Sequence, residues 1–494
     1  MLIGDLEPAP IQTPGIPFSV KSFGSGRRRA SQPQSGSRSL ISQVPSSVIT
    51  AEVAQFVSGF RLQDAPPELK AAARRHLIDS LGVMLAGKAE HAAVLALRHA
   101  QVMSGTQLAP PLFAFVLGVR GHVLDYDDIQ LPSRPEGVYG LLTHPSVPVL
   151  AACLALGRWE GSTGADLLQA FIAATEAECR LTDAIDPKHY RSGFHSSGTI
   201  GCLGAALAAS RLMQLDEDRT RTAIGIAASS AAGLRENFGT MTKALHVGRA
   251  AQHGVEAAYL AHAGWTASKD VLEAQRGFYR AYAGLFDETM ILGHLGRPWY
   301  YLDPGVVIKP YPSGALAHPA MHALTQLIHD HDVKPEQVEK VTVGVNALVP
   351  DSLNHHQPKN AHTARYSMEY SMATLLARRR AGIAEYTRGS VEAPAVQMLM
   401  PKVEMNVDGA AESAGYHRLV SRVTVLLRDG HVLTGEAEAA RGHPRNPMTE
   451  DELLAKFRDC AMWSGRADGA SNILHMVDHL EELESLEELC HSLL

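Results

Sequence analysis

A change of hydrophobic period near residue 300 constrains the fold of this chain more than any other feature. From residue 50 the apolar residues keep the helical spacing: Val53, Phe56, Val57 and Phe60 fall at i, i+3, i+4 and i+7. Pro66 and Pro67 then interrupt the chain before "ELKAAARRHLIDSLGVMLAG", a second periodic run that ends at Gly87. "TGADLLQAFIAATEAECRL" and "LDEDRTRTAIGIAASSAAGL" continue the pattern. All of these runs are rich in Ala and Gly, which lets helix backbones approach closely. Beyond about residue 300 the period becomes two. Val341, Val343 and Val345 alternate in "VEKVTVGVNALV", and "LVSRVTVLLRDGHVLTGEAEA" reads as two strands joined at Asp429-Gly430. One more helix, "SMEYSMATLLARRRAG", lies between them. After residue 446 a capping box, Thr449 with Glu452, opens "EDELLAKFRDCA" and returns the chain to helix.

This order predicts a mostly α protein with an α+β part. A large helical domain is expected from residues 47–295 and 446–494, built from both chain ends, with a smaller α+β lid domain over 296–445 inserted between them. A length of 494 residues fits two domains. Residues 1–46, dominated by Ser, Gly, Pro, Gln and Arg without an apolar period, read as a disordered head. Its Arg- and Ser-rich stretch has the composition of an organelle presequence, but Asp5 and Glu7 precede it. A cytoplasmic location is therefore expected, with a mitochondrial one as the alternative.

Several function classes lose support from composition. A net charge of −7 with no basic stripe gives nothing for nucleic acid to bind, and no run of about 18 apolar residues suggests a membrane span. The five cysteines are scattered without CxxC spacing, so neither a disulfide framework nor a zinc or iron-sulfur site is indicated. Phosphate-binding loops of the GxGxxG and GxxxxGK[ST] types and the GxSxG nucleophile elbow are absent.

Four segments instead place ionisable residues among Gly and Pro. "GHVLDYDD" gathers Asp125, Asp127 and Asp128, and His144-Pro145 follows at the start of a helix. "GFHSSGT" puts His195 at a helix N-terminus, where the dipole lowers an imidazole pKa and attracts anions. "GTMTKALHVGR" sets Lys243, His246 and Arg249 within two helical turns, with Glu236 the nearby carboxylate. "IKPYPSGALAHPAMH" holds Lys309 and Tyr311 in a proline-clamped loop. His318 and His322 have i, i+4 spacing, but the glutamate of an HExxH site is missing, so no metal is expected. Histidines and lysines without a cofactor motif suit proton transfer on a small anion.

Taken in order, "LDYDD", "THPSVPVLAA", "GFHSSGTIGCLGAA", "AAGLRENFGTMTKALHVGRAAQHGV" and "IKPYPSGALAHPA" resemble the MmgE/PrpD family, from about residue 48 to about 462. That family includes 2-methylcitrate dehydratase, cis-aconitate decarboxylase and iminodisuccinate epimerase. The resemblance implies a metal-free, cofactor-free homodimer whose active site lies between the helical and lid domains and takes a di- or tricarboxylate. Carried onto matching motif positions, it implies Asp125, His144, His195 and Lys243 as catalytic residues, and Lys309 as a substrate-binding one. Tyr311, His246 and Arg249 are further candidates for substrate binding. The implied activity is a lyase of the 2-methylcitrate dehydratase type; an epimerase and a homologue that only binds a carboxylate are the alternatives. Two positions depart from the cis-aconitate decarboxylases: Ile129 stands for a threonine and Gly314 for a histidine of the mammalian enzymes. No counterpart of their active-site tyrosine is evident over residues 346–356, and "IQLPSRPEGVYGLL" forms an extra loop.

Overall fold

The computed structural model describes residues 48–135 and 142–493. The head predicted to be disordered and part of the extra loop, residues 136–141, lie outside the described residues. Among the described residues nine long helices precede residue 265: α1 (Ile49–Gly59), α2 (Pro67–Gly87), α3 (His91–Ser104), α4 (Pro110–His122), α5 (Ser146–Glu160), α6 (Gly164–Ala184), α7 (Ser196–Leu212), α8 (Glu217–Ser230) and α9 (Thr242–His262). Their boundaries follow local chemistry. Pro67 occupies the first turn of α2, and Thr163 with Asp166 forms a reciprocal capping box at α6.

Helix α9 packs against α4 and α7, and α5 and α6 flank α7. Small residues make this possible. A Cβ placed on Gly118 of α4 would lie 2.9 Å from the Cα of Gly248 in α9, and one on Gly254 would lie 2.5 Å from the Cβ of Ala205 in α7. The buried faces are correspondingly continuous: almost every residue of α5 before Arg158 and of α7 before Arg211 is buried.

The α+β part carries a four-stranded sheet of order β4-β3-β5-β6, made of β3 (Val338–Val345), β4 (Val403–Val407), β5 (Ser421–Leu427) and β6 (Val432–Ala437). β5 and β6 pair antiparallel around Asp429-Gly430, with Gly430 at a φ of 89°. Val341, Val343 and Val345 are buried, and helix α10 (His318–His331) packs on β5 and β6. Helix α11 (Met368–Arg378) falls within the run read as helical. The mostly α architecture with an α+β part is the one that the change of period predicts. β4, parallel to β3, has no clear alternation in sequence to announce it.

Helix α12 (Glu450–Trp463), opened by the Thr449–Glu452 capping box, packs on α2, far back in the chain. A two-stranded ribbon, β1 (Ile129–Gln130) with β2 (Val306–Val307), pairs Ile129 with Val307 and Gln130 with Val306. It ties the Asp125 loop to the Lys309 loop and so sets the site. Among the described residues no single helix is long and apolar enough to cross a membrane.

Candidate active site

The site begins at the end of α4. After His122 the chain reverses, with the Asp125 amide donating to the His122 carbonyl at 3.0 Å and Asp125 in the left-handed region at a φ of 52°. Asp tolerates that conformation better than most residues, and strain of this kind concentrates at functional positions. The reversal makes the Asp125 carboxylate a hub. Its Oδ1 lies 2.7 Å from Lys309 Nζ, 3.0 Å from Lys243 Nζ and 3.6 Å from His144 Nε2, and it accepts a hydrogen bond from Tyr366. Burial opposes its ionisation, but Lys243 and Lys309, helped by His144 and His122, hold the carboxyl well below the usual range.

Behind the hub, Asp127 Oδ2 lies 2.8 Å from His122 Nδ1 and 3.3 Å from His144 Nδ1. Its carboxyl is also held low, by these two imidazoles against burial. His122 itself is pushed down to about 3 by burial, with Asp127 opposing. His122, Asp127 and His144 form a group whose ligand-type atoms all lie within 4.8 Å of one another. Hydrogen bonding between the carboxylate and the imidazoles accounts for that closeness.

His195 caps the start of α7, where its amide donates to the Gly233 carbonyl at 3.1 Å. Its Nδ1 lies 3.1 Å from His246 Nδ1, and its buried Nε2 has no partner. One of the facing Nδ1 atoms must carry the proton; if it is that of His195, Nε2 presents a bare lone pair. Burial first, and then the Lys243 charge, puts the His195 pKa well below its ordinary value, so the ring is neutral near pH 7. Burial is the first cause, and the position at the helix N-terminus expected from sequence acts in the same direction.

Lys243, in the first turn of α9, lies 5.1 Å from the ring centre of Phe238 and 5.4 Å from that of Tyr366. Burial lowers its pKa and Asp125 opposes the shift. Lys309 differs. Its ammonium reaches Asp125 Oδ1 at 2.7 Å, the Asp125 carbonyl at 3.0 Å and the Ser313 carbonyl at 3.3 Å, so all three of its protons are engaged. It holds Asp125 more than it offers a free grip to substrate.

Asp125, His144, His195, Lys243, Lys309 and Tyr366 line one narrow cleft with a cavity volume of about 30 Å³. Its remaining wall is mostly apolar and includes Ile129, Leu142, Phe238, Leu316 and Leu353. Gly314 also faces it, and a Cβ there would meet Leu353 Cδ2 at 2.8 Å. The space at this position is thus filled by a leucine.

Three residues expected at the substrate do not line the cleft. His246 stands behind His195, and its pKa is lowered to about 4 by burial and then by Lys243. Arg249 follows Lys243 by six residues, about 240° around the helix, and so faces elsewhere. Its guanidinium donates to Gln252 at 2.7 Å and covers the Phe115 ring at 4.9 Å. Tyr311, turned by its flanking prolines, packs edge-on against His318 in α10. His318 and His322 have separate partners, Ser313 and Asn446. Sequence reading missed His122, Asp127 and Tyr366 as site residues. The first two lie inside the quoted "GHVLDYDD" and could have been taken with Asp125; Tyr366 carries no local motif.

The whole arrangement matches known sequence families. The MmgE/PrpD N-terminal domain covers residues 51–289 and the MmgE/PrpD C-terminal domain residues 311–482. The chain belongs to the MmgE/PrpD family. Within that family it is 28% identical to the human cis-aconitate decarboxylase over 462 residues, 89% of this chain and 93% of the relative. The mouse enzyme of the same name is 28% identical over 468 residues, covering 89% and 92% of the two chains. The Aspergillus terreus cis-aconitate decarboxylase is 24% identical over 481 residues, covering 89% and 94%. Lys309 falls between the two matched domains, and the cleft takes residues from both, Asp125 to Lys243 from the first and Gly314 to Tyr366 from the second.

Proposed function

We propose that this chain is a lyase acting on a small tricarboxylate, cleaving a bond next to a carboxylate with its own side chains as acid and base. One observation carries the reading: Asp125, Lys243, His144 and His195, from four separate segments, face a single cleft. The charges suit a polyanion. Lys243 and Lys309 outnumber Asp125 by one, and the His195 ring is neutral until a substrate brings negative charge beside it. A bound polycarboxylate raises the pKa of a neighbouring imidazole, so the substrate prepares its own proton donor.

Loss of carbon dioxide is the first reading, supported by relatives that align over nine-tenths of this chain. When the C–C bond breaks, its electron pair stays on the substrate carbon and spreads into the adjoining unsaturated acid. Lys243 neutralises that charge where it develops, and a protonated imidazole, His195 or His144, delivers a proton to carbon. Dehydration is the second reading, and it is the one expected from sequence. It is favoured by the apolar wall at Ile129 and Gly314, the two positions that depart from the threonine of the cis-aconitate decarboxylases and the histidine of the mammalian ones. There one imidazole would remove the proton next to the carboxylate and the other would protonate the departing hydroxide.

Incubation of the purified protein with cis-aconitate and with citrate-type hydroxy acids in deuterated water, followed by proton NMR, tests the proposal. Carbon dioxide and a deuterated product support decarboxylation; water loss supports dehydration. Deuterium exchange with stereochemical scrambling alone would make the chain an epimerase, and no exchange with any acid would reduce it to a binding protein. We also infer a homodimer, from an apolar groove bordered by Leu95 of α3 and Met241 and Leu245 beside Lys243, with Val102 84% and Met103 65% exposed on the same α3 helix. Sedimentation equilibrium at the monomer mass would refute it.

A further inference from the structure

Helix α12 buries the stripe Leu453, Lys456, Phe457 and Cys460, an apolar face with one lysine in it. A buried ammonium is costly unless every proton finds an acceptor. Here each does. Lys456 Nζ lies 2.5 Å from Asp79 Oδ1 of α2, and donates to the Tyr126 carbonyl at 2.9 Å and to the Lys309 carbonyl at 2.8 Å. It also sits 3.9 Å above the Tyr126 ring. Lys456 is 6% exposed and Asp79 is 2% exposed.

The two carbonyls are informative. Tyr126 separates Asp125 from Asp127, and Lys309 is the residue whose own ammonium holds Asp125. One side chain, reaching in from the far end of the chain, therefore grips the backbone of both loops whose side chains meet at the hub. The same loops are also joined by the short β1–β2 ribbon, by Lys309 on Asp125 and by the Tyr126 hydroxyl, which donates to the Pro310 carbonyl at 3.3 Å; of these ties only Lys456 holds a backbone carbonyl of each loop from outside both. Stability does not explain such a strut, because buried ion pairs are often matched or exceeded by well-packed apolar residues.

We propose that Lys456, held in place by Asp79, is a positioning residue that fixes the separation of the Asp125 and Lys309 loops and so the geometry of the Asp125–Lys243–Lys309 hub. It touches no substrate. The inference rests on the reading of this cleft as an active site, and its test is chosen to stand apart from that reading.

The test compares Lys456→Met with the charge-neutral pair Asp79→Asn/Lys456→Met. The single variant strands a buried carboxyl, whose pKa burial already raises to about 6 even with Lys456 beside it, and it is expected to lose stability. The pair removes that penalty and should melt close to the unaltered protein. It still lacks the two carbonyl contacts, so its kcat on whichever acid the protein turns over is expected to fall by about 10-fold to 100-fold with a smaller change in KM. Amide hydrogen exchange over residues 122–130 and 306–314 should speed up in the pair while α7 and α9 stay protected. A pair variant that regains both stability and kcat, or whose two loops exchange as slowly as in the unaltered protein, overturns the proposal. If the unaltered protein converts no acid, the functional reading fails, and the exchange measurement alone decides the strut.

Discussion

The helical part and the sheet pack by opposite rules. Between α4, α7 and α9 the backbones touch, with Gly118 against Gly248 and Gly254 against Ala205, and nothing larger fits. In the sheet, β6 alternates exposed and half-buried residues from Val432 to Ala437, so one face is left to solvent and side-chain size is loosely constrained. The candidate catalytic groups divide in the same way. Asp125, His144, His195 and Lys243 all sit at the ends of tightly packed helices, whereas the α+β part supplies Lys309, Tyr366 and much of the apolar wall. Chemistry needs fixed distances, and the close-packed region provides them.

This contrast can be broken experimentally, starting where the effect is largest. His195→Ala or Lys243→Met should lower turnover at least about 100-fold, the lower end for positioned acids and bases. Near-normal turnover in either would remove that residue from the mechanism. Next in size, Gly118→Val should destabilise the protein by about 1–3 kcal/mol through overpacking, read from the denaturant midpoint. Val432→Thr on the exposed sheet face should stay within about 0.5 kcal/mol.

Acid should act on both sides of the divide. Burial lowers His122 and His318 to about 3 and His189 to about 4, below an ordinary value near 6.5, so unfolding takes up protons at these sites. The folded state therefore loses stability as pH falls below about 6.5, by about 1.4 kcal/mol per pH unit for each unopposed imidazole. Asp79, raised to about 6, and Glu178, also raised by burial, work in the opposite sense, while His195 and His246, lowered as well, add to the imidazoles. Denaturant midpoints at pH 7.5 and 5.5 check the direction; a higher midpoint at the lower pH would contradict it. At the small end, Arg249→Ala and Tyr311→Phe are expected to leave kcat/KM near that of the unaltered protein, because both side chains lie off the cleft.

The sequence made some of this legible and not the rest, for physical reasons. Helices, the hairpin at Asp429-Gly430 and the return to helix at Thr449 are local signals, written in period and capping. Asp125, His144, His195 and Lys243 could be nominated because each stands in a Gly- or Pro-rich frame that marks a helix end. Their convergence is a tertiary fact. So are the hold of Lys309 on Asp125 and the facing of His195 by His246, which depend on contacts across tens to hundreds of residues. Arg249 stands near Lys243 in sequence yet on another face, because six residues turn a helix past half a circle. Tyr366 lay in a stretch with no pattern to read.

The contact between Gly118 and Gly248 carries one more consequence. Because α4 and α9 meet backbone to backbone, the helix that ends at His122 and the helix that opens near Lys243 cannot drift apart in small steps. Descendants of this scaffold that acquire new substrates are left with one adjustable side, the wall of Ile129, Gly314, Leu316 and Leu353. Diversification should therefore be recorded there, in the volume and polarity of a few replaceable residues, while the opposite wall is inherited unaltered.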